Sequence, residues 1–389
     1  MSSMNGTKRE VPPVGVMVVG PDARSQGGIA AVIANYRRTS FWRECNCEHF
    51  STCADWAWKW ARMLYSAWRG CVFVPTVVFK RPAVVSIHTA DRSSFYRKLF
   101  YIVVVRLFSI PVVVHVHPAS FVEFFVKGNR LTRFAITTVA DISNRIVFLS
   151  DIAASQFREL FPHTRMAVIP NPVDVDRYGV EPRAPMKDHY RILFMGWIVR
   201  EKGVYDIVDA MPDVLARFPQ AEFLFAGNKE TEQLKNMIDE RQLSRHAKVL
   251  GWVEGREKYE LLMSSRLLLL PSYSEGIPNV ILEAMASGLP VVTTPVGGIP
   301  SVFVEGETGY FVSPGNPREL SARIVQMLSD DEDCEKISRS SRQRVKALYD
   351  LEVIGRQLEH LYREFQPQPS QMAYARPNGD QHVRHRRPF

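Results

Sequence analysis

A chain of 389 residues is long enough for two domains that each bury a core. Its 46% hydrophobic content and mean hydropathy of −0.13 exclude an intrinsically disordered chain. The net charge of +8 is uneven: residues 1–186 carry 23 Lys and Arg against 13 Asp and Glu, residues 187–365 carry 22 against 27, and residues 366–389 carry 4 against 1. A basic first half points to an anionic partner, whether phosphate, nucleic acid or a membrane surface.

In chain order, residues 1–13 (MSSMNGTKREVPP) are polar, lack a signal-peptide apolar run and are expected to be disordered. From Val14 short β-branched runs alternate with amphipathic stretches. The strand candidates are VGVMVVG, AVVSIHT, IPVVVHVH, RIVFLS and MAVIPN, with helices such as SSFYRKLFYIVVVRLF and IAASQFRELF between them. The runs are continuous rather than alternating, as parallel strands covered on both faces require. The apolar region from Leu99 to Val116 contains Arg106, Pro111 and His115, so it reads as a helix ending near Phe108 and a following strand, not a membrane span.

Pro172, Gly179, Pro182 and Pro185 break the pattern and mark a linker. Alternation then restarts with RILFMGW, AEFLFAG, AKVLGWV, RLLLLPS, PVVTTP and GYFVSP, separated by helical segments. Two doubly wound α/β domains are therefore expected, at 14–180 and 181–350, facing one ligand across a cleft. Residues 351–365 form a further helix that could return to the first domain, and 366–389 a disordered basic tail. The cysteines (Cys45, Cys47, Cys53, Cys71, Cys334) are odd in number and lack zinc-site spacing, so they read as free thiols.

The densest chemistry lies in PSYSEGIPNVILEAMASGLPVVTTPVGGIP, residues 271–300. With Pro278 opening a helix, Glu275 falls in the loop before it and Glu283 in its second turn. Carboxylates accept hydrogen bonds from vicinal sugar hydroxyls, and the segment Gly276, Ile277, Pro278 and Asn279 sets a helix N-terminus beside them, a site for phosphate. In MGWIVREKG (195–203), Gly196, Arg200 and Lys202 follow a strand directly. Gly27 and Gly28 follow the first strand and open a helix, permitting close backbone approach to phosphate. His115 and His117 lie on one side of a strand near its carboxyl end, with His88 and Arg92 ending another strand at the same edge.

The 271–300 segment closely resembles the donor-binding segment of glycosyltransferase family 4, of the GT-B fold, and the resemblance extends over roughly 14–365. It implies that Glu275 faces the donor sugar, that Glu283 binds the nucleotide ribose, and that Gly276, Ile277 and Pro278 run past the sugar and diphosphate. It also implies diphosphate contacts from Lys202. Trp197 stands where the family carries an arginine, and Arg200 is the cation that could replace it. The Gly27–Gly28 loop is implied to lie near the diphosphate and acceptor. Of the two strand histidines, His117 is the one expected to face the sugar.

An Asp-x-Asp occurs only in the linker, at Asp174–Asp176, and neither GxxxxGK[ST] nor GxGxxG is present. Metal-independent transfer is expected, with no cofactor and a UDP- or GDP-linked hexose as donor, and the family resemblance implies retention of configuration. ADWAWKWARMLYSAWRG (54–70) interleaves four tryptophans with cations, the composition of an interfacial helix with Trp56, Trp60, Met63 and Ala67 on one face. A lipid-linked saccharide acceptor at an anionic membrane surface, and a cytoplasmic, peripheral location, are therefore expected. The basic residues are dispersed and no nucleic-acid motif occurs, so no nucleic-acid partner is expected. The competing readings are a nucleotide-sugar epimerase on a similar scaffold and a non-catalytic membrane- or anion-binding module.

Overall fold

The apolar runs become two six-stranded, wholly parallel sheets. In the computed structural model, residues 15–54, 58–179 and 190–365 are described; the expected disordered ends, Trp56 and part of the linker lie outside them.

The first sheet draws on β1 (Val16–Gly20), α1 (Gly28–Tyr36), α2 (Ser40–Glu44), β2 (Glu48–Ser51), α3 (Lys59–Lys80), β3 (Val84–Thr89), α4 (Arg92–Leu107), β4 (Val112–Val116), α5 (Phe121–Val126), α6 (Arg130–Ile142), β5 (Arg145–Phe148), α7 (Asp151–Leu160) and β6 (Met166–Val168), in the order β2-β1-β3-β4-β5-β6. The second draws on β7 (Arg191–Met195), α8 (Val204–Arg217), β8 (Glu222–Ala226), α9 (Thr231–Glu240), β9 (Ala247–Gly251), α10 (Gly255–Ser264), β10 (Leu267–Leu270), α11 (Asn279–Ala286), β11 (Val291–Thr293), α12 (Ile299–Val302), β12 (Gly309–Phe311) and α13 (Pro317–Ser329), in the order β12-β11-β10-β7-β8-β9. In both, the strand order reverses beside the first strand, and the crevice outside the strand carboxyl ends at such a reversal is where doubly wound sheets bind ligands.

The central strands are covered on both faces: Val16 to Val19 and Leu267 to Leu270 are all buried. Pairing of β3 with β4 sets His88 beside His115 and Thr89 beside Val116. Alternation then sends Val112, Val114 and Val116 into the core under α4 and α6, while Val113 joins the core on the opposite face.

After α14 (Asp331–Leu348) the chain crosses back. Val173 and Asp350 form a bridge, and α15 (Leu351–Arg363) packs on α2 and α1 of the first domain. Its apolar stripe Ile354, Leu358, Leu361 and Tyr362 joins Val16, Val18, Ile33 and Phe41 in one core. Asp350 caps α15 by accepting from the Glu352 amide at 3.1 Å. All five cysteines are unpaired. No helix among the described residues is long and apolar enough to cross a membrane.

Candidate active site in the interdomain cleft

The carboxyl ends of both sheets open onto one cleft of about 550 Å³. The first domain contributes the loop after β1, with Gly27 and Gly28, and the ends of β3 and β4, with His88 and His117; the second contributes Gly196, Lys202 and the loop Glu275–Asn279.

Glu275 lies just before α11 and is only 8% exposed. Its Oε1 accepts from Lys202 Nζ at 2.5 Å and from Ser272 Oγ at 2.9 Å. Lys202 closes a 3-10 turn, Arg200–Lys202, and Gly203 behind it adopts φ 68°, which turns the chain into α8. Pro278 is the N-cap of α11, so the amides of Asn279 and Val280 begin the helix without intrahelical acceptors and face the cleft. Glu283, one turn further, is paired with Lys258, whose Nζ lies 2.6 Å from its carboxylate; Lys258 itself lines the cleft.

Two glycines make this approach possible. A Cβ on Gly276 would sit 2.2 Å from the His117 carbonyl oxygen, so only glycine lets the donor-side loop touch the first domain there. Gly297, at φ 57°, has the Glu275 carbonyl 1.8 Å from its would-be Cβ and locks the Glu275 loop from behind. Asn279 Nδ2 donates to the Gly28 carbonyl at 3.1 Å and Asn228 Nδ2 to Gln26 Oε1 at 2.5 Å, tying both domains across the cleft.

His117 is the outermost of a buried relay. Its Nε2 lies 2.9 Å from His88 Nδ1, and His88 Nε2 lies 3.4 Å from Ser86 Oγ. Tyr362 Oη donates to Ser86 Oγ at 2.5 Å and lies 2.9 Å from His115 Nε2. Because the tyrosine has one proton and gives it to Ser86, His115 must donate from Nε2. Ser86, accepting from Tyr362, has its own hydroxyl proton for His88 Nε2; neutral His88 then donates from Nδ1 to His117 Nε2, which leaves the Nδ1–H of His117 for the cleft. Burial holds His117 down to about 4 and His115 to about 3, and His88 lies well below its ordinary range through burial and its two histidine neighbours. All three are neutral at pH 7.

Of the residues singled out in sequence, Gly27, Gly28, His88, His117, Gly196, Lys202, Gly276, Ile277, Pro278, Asn279 and Glu275 line the cleft. His115 is buried beneath them, and Glu283 is held at the cleft edge by Lys258. Arg200 and Arg92 are exposed and do not line it. Arg200 instead adds its charge beside Tyr273 and Asp206 on the flank of α8, because the 3-10 turn rotates it away from Lys202. Trp197 does line the cleft, with Lys229 Nζ 5.2 Å from its ring centroid. Lys229 is held at φ 101°, a strained backbone conformation for a residue with a Cβ. Sequence reading missed Trp252, Val253, Lys258, Arg97 and Lys98, which line the cleft from ordinary-looking helical and strand-end positions. Among the described residues no three His, Cys, Asp or Glu gather in a way that could hold a metal ion.

Residues 181–344 match the model of the family "Glycosyl transferases group 1". The glycogen synthase of Mycobacterium tuberculosis is 27% identical over 235 residues, covering 58% of this chain and 57% of that enzyme. The capsular polysaccharide biosynthesis glycosyltransferase CapM of Staphylococcus aureus is 28% identical over 183 residues, covering 46% and 47%. The matched stretch thus spans about half the length of these relatives. Over the whole fold, sucrose-phosphate synthase from Thermosynechococcus elongatus superposes with a TM-score of 0.77 at 17% identity, over 90% of this chain and 99% of that one. Anabaena HepE, solved with UDP-glucose, superposes with a TM-score of 0.74 at 17% identity, over the same shares. The chain has the GT-B fold, and residues 181–344, which hold its second sheet, are similar to the glycosyl transferases group 1 family.

Proposed function

We propose that this chain is a nucleotide-sugar-dependent glycosyltransferase that moves a hexose from a UDP- or GDP-sugar to a saccharide acceptor with retention of configuration. The observation that carries the reading is the meeting of Glu275 and Lys202 from one domain with His117 from the other, at the mouth of α11. The names of the relatives, a capsular polysaccharide glycosyltransferase and a protein crystallised with UDP-glucose, support it.

The acceptor hydroxyl attacks the anomeric carbon from the leaving-group side, the bond from that carbon to the diphosphate oxygen breaks, and the hydroxyl proton passes to the departing diphosphate. Lys202 and the first amides of α11 stabilise the charge that develops on the diphosphate. Glu275 and the Nδ1–H of His117 orient the sugar, and Glu283 receives the ribose hydroxyls when Lys258 turns aside. No step calls for a metal or cofactor.

The acceptor is proposed to be lipid-linked and met at an anionic membrane on the inner face of the cell membrane. Exposed Trp60, Met63, Leu64 and Trp68 on α3, Leu107 on α4, and Leu131 and Phe134 on α6 support this, interspersed with exposed Arg62, Arg130 and Arg133.

Calorimetric titration with UDP, GDP and ADP, without metal, tests the reading. Preferential binding of one nucleotide, followed by transfer from its sugar conjugate only when acceptor is present, supports it. Binding of none, with or without anionic vesicles, removes it. Interconversion of the free donor without acceptor would assign an epimerase.

A further inference from the structure

The first-domain side of the cleft carries two cations that the donor chemistry does not use. Arg97 and Lys98, consecutive on α4, both line the cleft beside Cys53, Ser94 and Ala90. Lys98 is 1% exposed, and its ammonium donates to Thr52 Oγ1, a neutral hydroxyl that itself donates to the Gly20 carbonyl at 3.0 Å. Neither cation has a carboxylate partner among the described residues, and the buried Nε of Arg97 lacks any hydrogen-bond acceptor. The nearby acids are engaged elsewhere: Asp91 accepts from Ser120 Oγ at 2.9 Å, and Asp22 from the Arg24 amide at 3.0 Å.

A buried ammonium and guanidinium without a counter-charge are costly, and such pairs persist where a ligand supplies the missing charge. Burial holds the Lys98 ammonium down to about 7, the sign of that absent partner. The donor diphosphate already has cationic and helix-end partners in the opposite domain, Lys202 and the amides of α11.

We propose that Arg97 and Lys98 form an anion subsite for the acceptor, binding a phosphate or carboxylate group that the acceptor saccharide or its carrier bears. The proposal rests on the glycosyltransferase reading. Guanidinium and ammonium together suit either oxyanion, so a lipid-linked diphosphate and an acidic sugar are the two sources.

The test uses the full chain as wild type, Arg97→Gln and Lys98→Met. Each protein is first titrated with UDP, GDP and ADP. With the nucleotide that binds held at saturation, it is then titrated with farnesyl diphosphate in one arm and glucuronate in the other, with glucose as the neutral control. Nucleotide affinity within about twofold of wild type reports an intact fold and donor site, and Arg97→Gln carries the test should Lys98→Met fail to fold. The expected result is that one anion binds wild type, that its affinity drops at least tenfold in the variants, and that glucose does not compete. A lipid-linked acceptor is assigned if farnesyl diphosphate binds, an acidic sugar if glucuronate does. The proposal is overturned if neither anion binds the nucleotide-loaded wild type, or if Arg97→Gln leaves anion binding unchanged. It is overturned too if Arg97→Gln weakens the nucleotide tenfold, which would make these cations part of the donor site. Absence of nucleotide binding in wild type would instead overturn the underlying reading.

Discussion

Acidification from pH 7.5 to 5.5 challenges the relay behind His117 directly. His88, His115 and His117 stay neutral in the folded chain, and His49, half-buried with Arg37 at 2.9 Å from its Nδ1, is held down to about 4 by burial and by that guanidinium. In the unfolded chain each imidazole titrates near 6.5. A histidine whose folded pKa is depressed contributes stability that is present above about pH 6.5 and is lost as pH falls toward its folded pKa. At pH 5.5 each unfolded imidazole gains about 1.4 kcal/mol by protonation while the folded one gains almost nothing, so four histidines remove about 5 kcal/mol. Lys98, also depressed, adds less than about 1 kcal/mol over this range. The partly exposed carboxylates Glu222 and Glu319, both shifted downward, begin to protonate only below it. Since whole domains are stable by about 5–15 kcal/mol, the first domain should come close to melting. Amide exchange in β3 and β4, corrected for the intrinsic pH dependence of exchange, isolates that domain from its neighbour. A loss under about 2 kcal/mol would mean that the imidazoles are not buried neutral and would undo the tautomer assignment for His117.

Three further outcomes follow from the same geometry. Glu275→Gln keeps the Ser272 contact but loses the charge, so transfer should fall more than about a hundredfold while nucleotide affinity, by calorimetry, stays within about threefold. Glu283→Ala should weaken the nucleotide by roughly 10- to 100-fold, the worth of hydrogen bonds to a charged acceptor; undiminished binding would move the ribose elsewhere. Tyr362→Phe strands the Nε2–H of His115 in a dry core and takes from Ser86 Oγ the bond it accepts, costing about 1–3 kcal/mol by urea denaturation; a cost under about 0.5 kcal/mol would show that the relay is not continuous.

The second domain was legible in sequence because its signals are local. Its strands β7, β8 and β10 are short, mostly apolar runs (RILFM, EFLFA and LLLL), and the Glu275–Glu283 spacing translates directly into a loop and the second turn of a helix. The first domain was less so. β2 is four residues, EHFS, with an exposed glutamate at its start, too short and too polar for its apolar content to mark it. The relay was invisible for another reason: Ser86 and Tyr362 are 276 positions apart, and only the return of α15 brings them together. Arg200 shows the limit of spacing arguments within a loop. Two positions from Lys202, it is turned outward by a 3-10 turn whose geometry depends on Gly203 adopting a left-handed conformation against Pro271. Arg97 and Lys98 read as polar positions of an amphipathic helix until β2 and Thr52 are placed beside them.

The pairing pattern within the cleft carries one more consequence. On the donor side the two acidic side chains are held by lysines, Glu275 by Lys202 and Glu283 by Lys258, in contacts of 2.5 and 2.6 Å. A buried carboxylate without a counter-charge is costly, and the lysine ammoniums supply that charge from within the chain. In the proposed reading a sugar hydroxyl meets Glu275 while the Lys202 ammonium turns to phosphate, so Lys202 exchanges one anion for another. Entry of a neutral saccharide alone offers nothing to Lys202 and leaves it buried without its anion. In that reading the sugar enters with the diphosphate that re-pairs Lys202, which favours a sugar carried on its nucleotide over the free sugar. On the first-domain side Arg97 and Lys98 have no carboxylate partner among the described residues, so in the proposed acceptor subsite selectivity would come from the anion that an acceptor brings rather than from an exchange of partners.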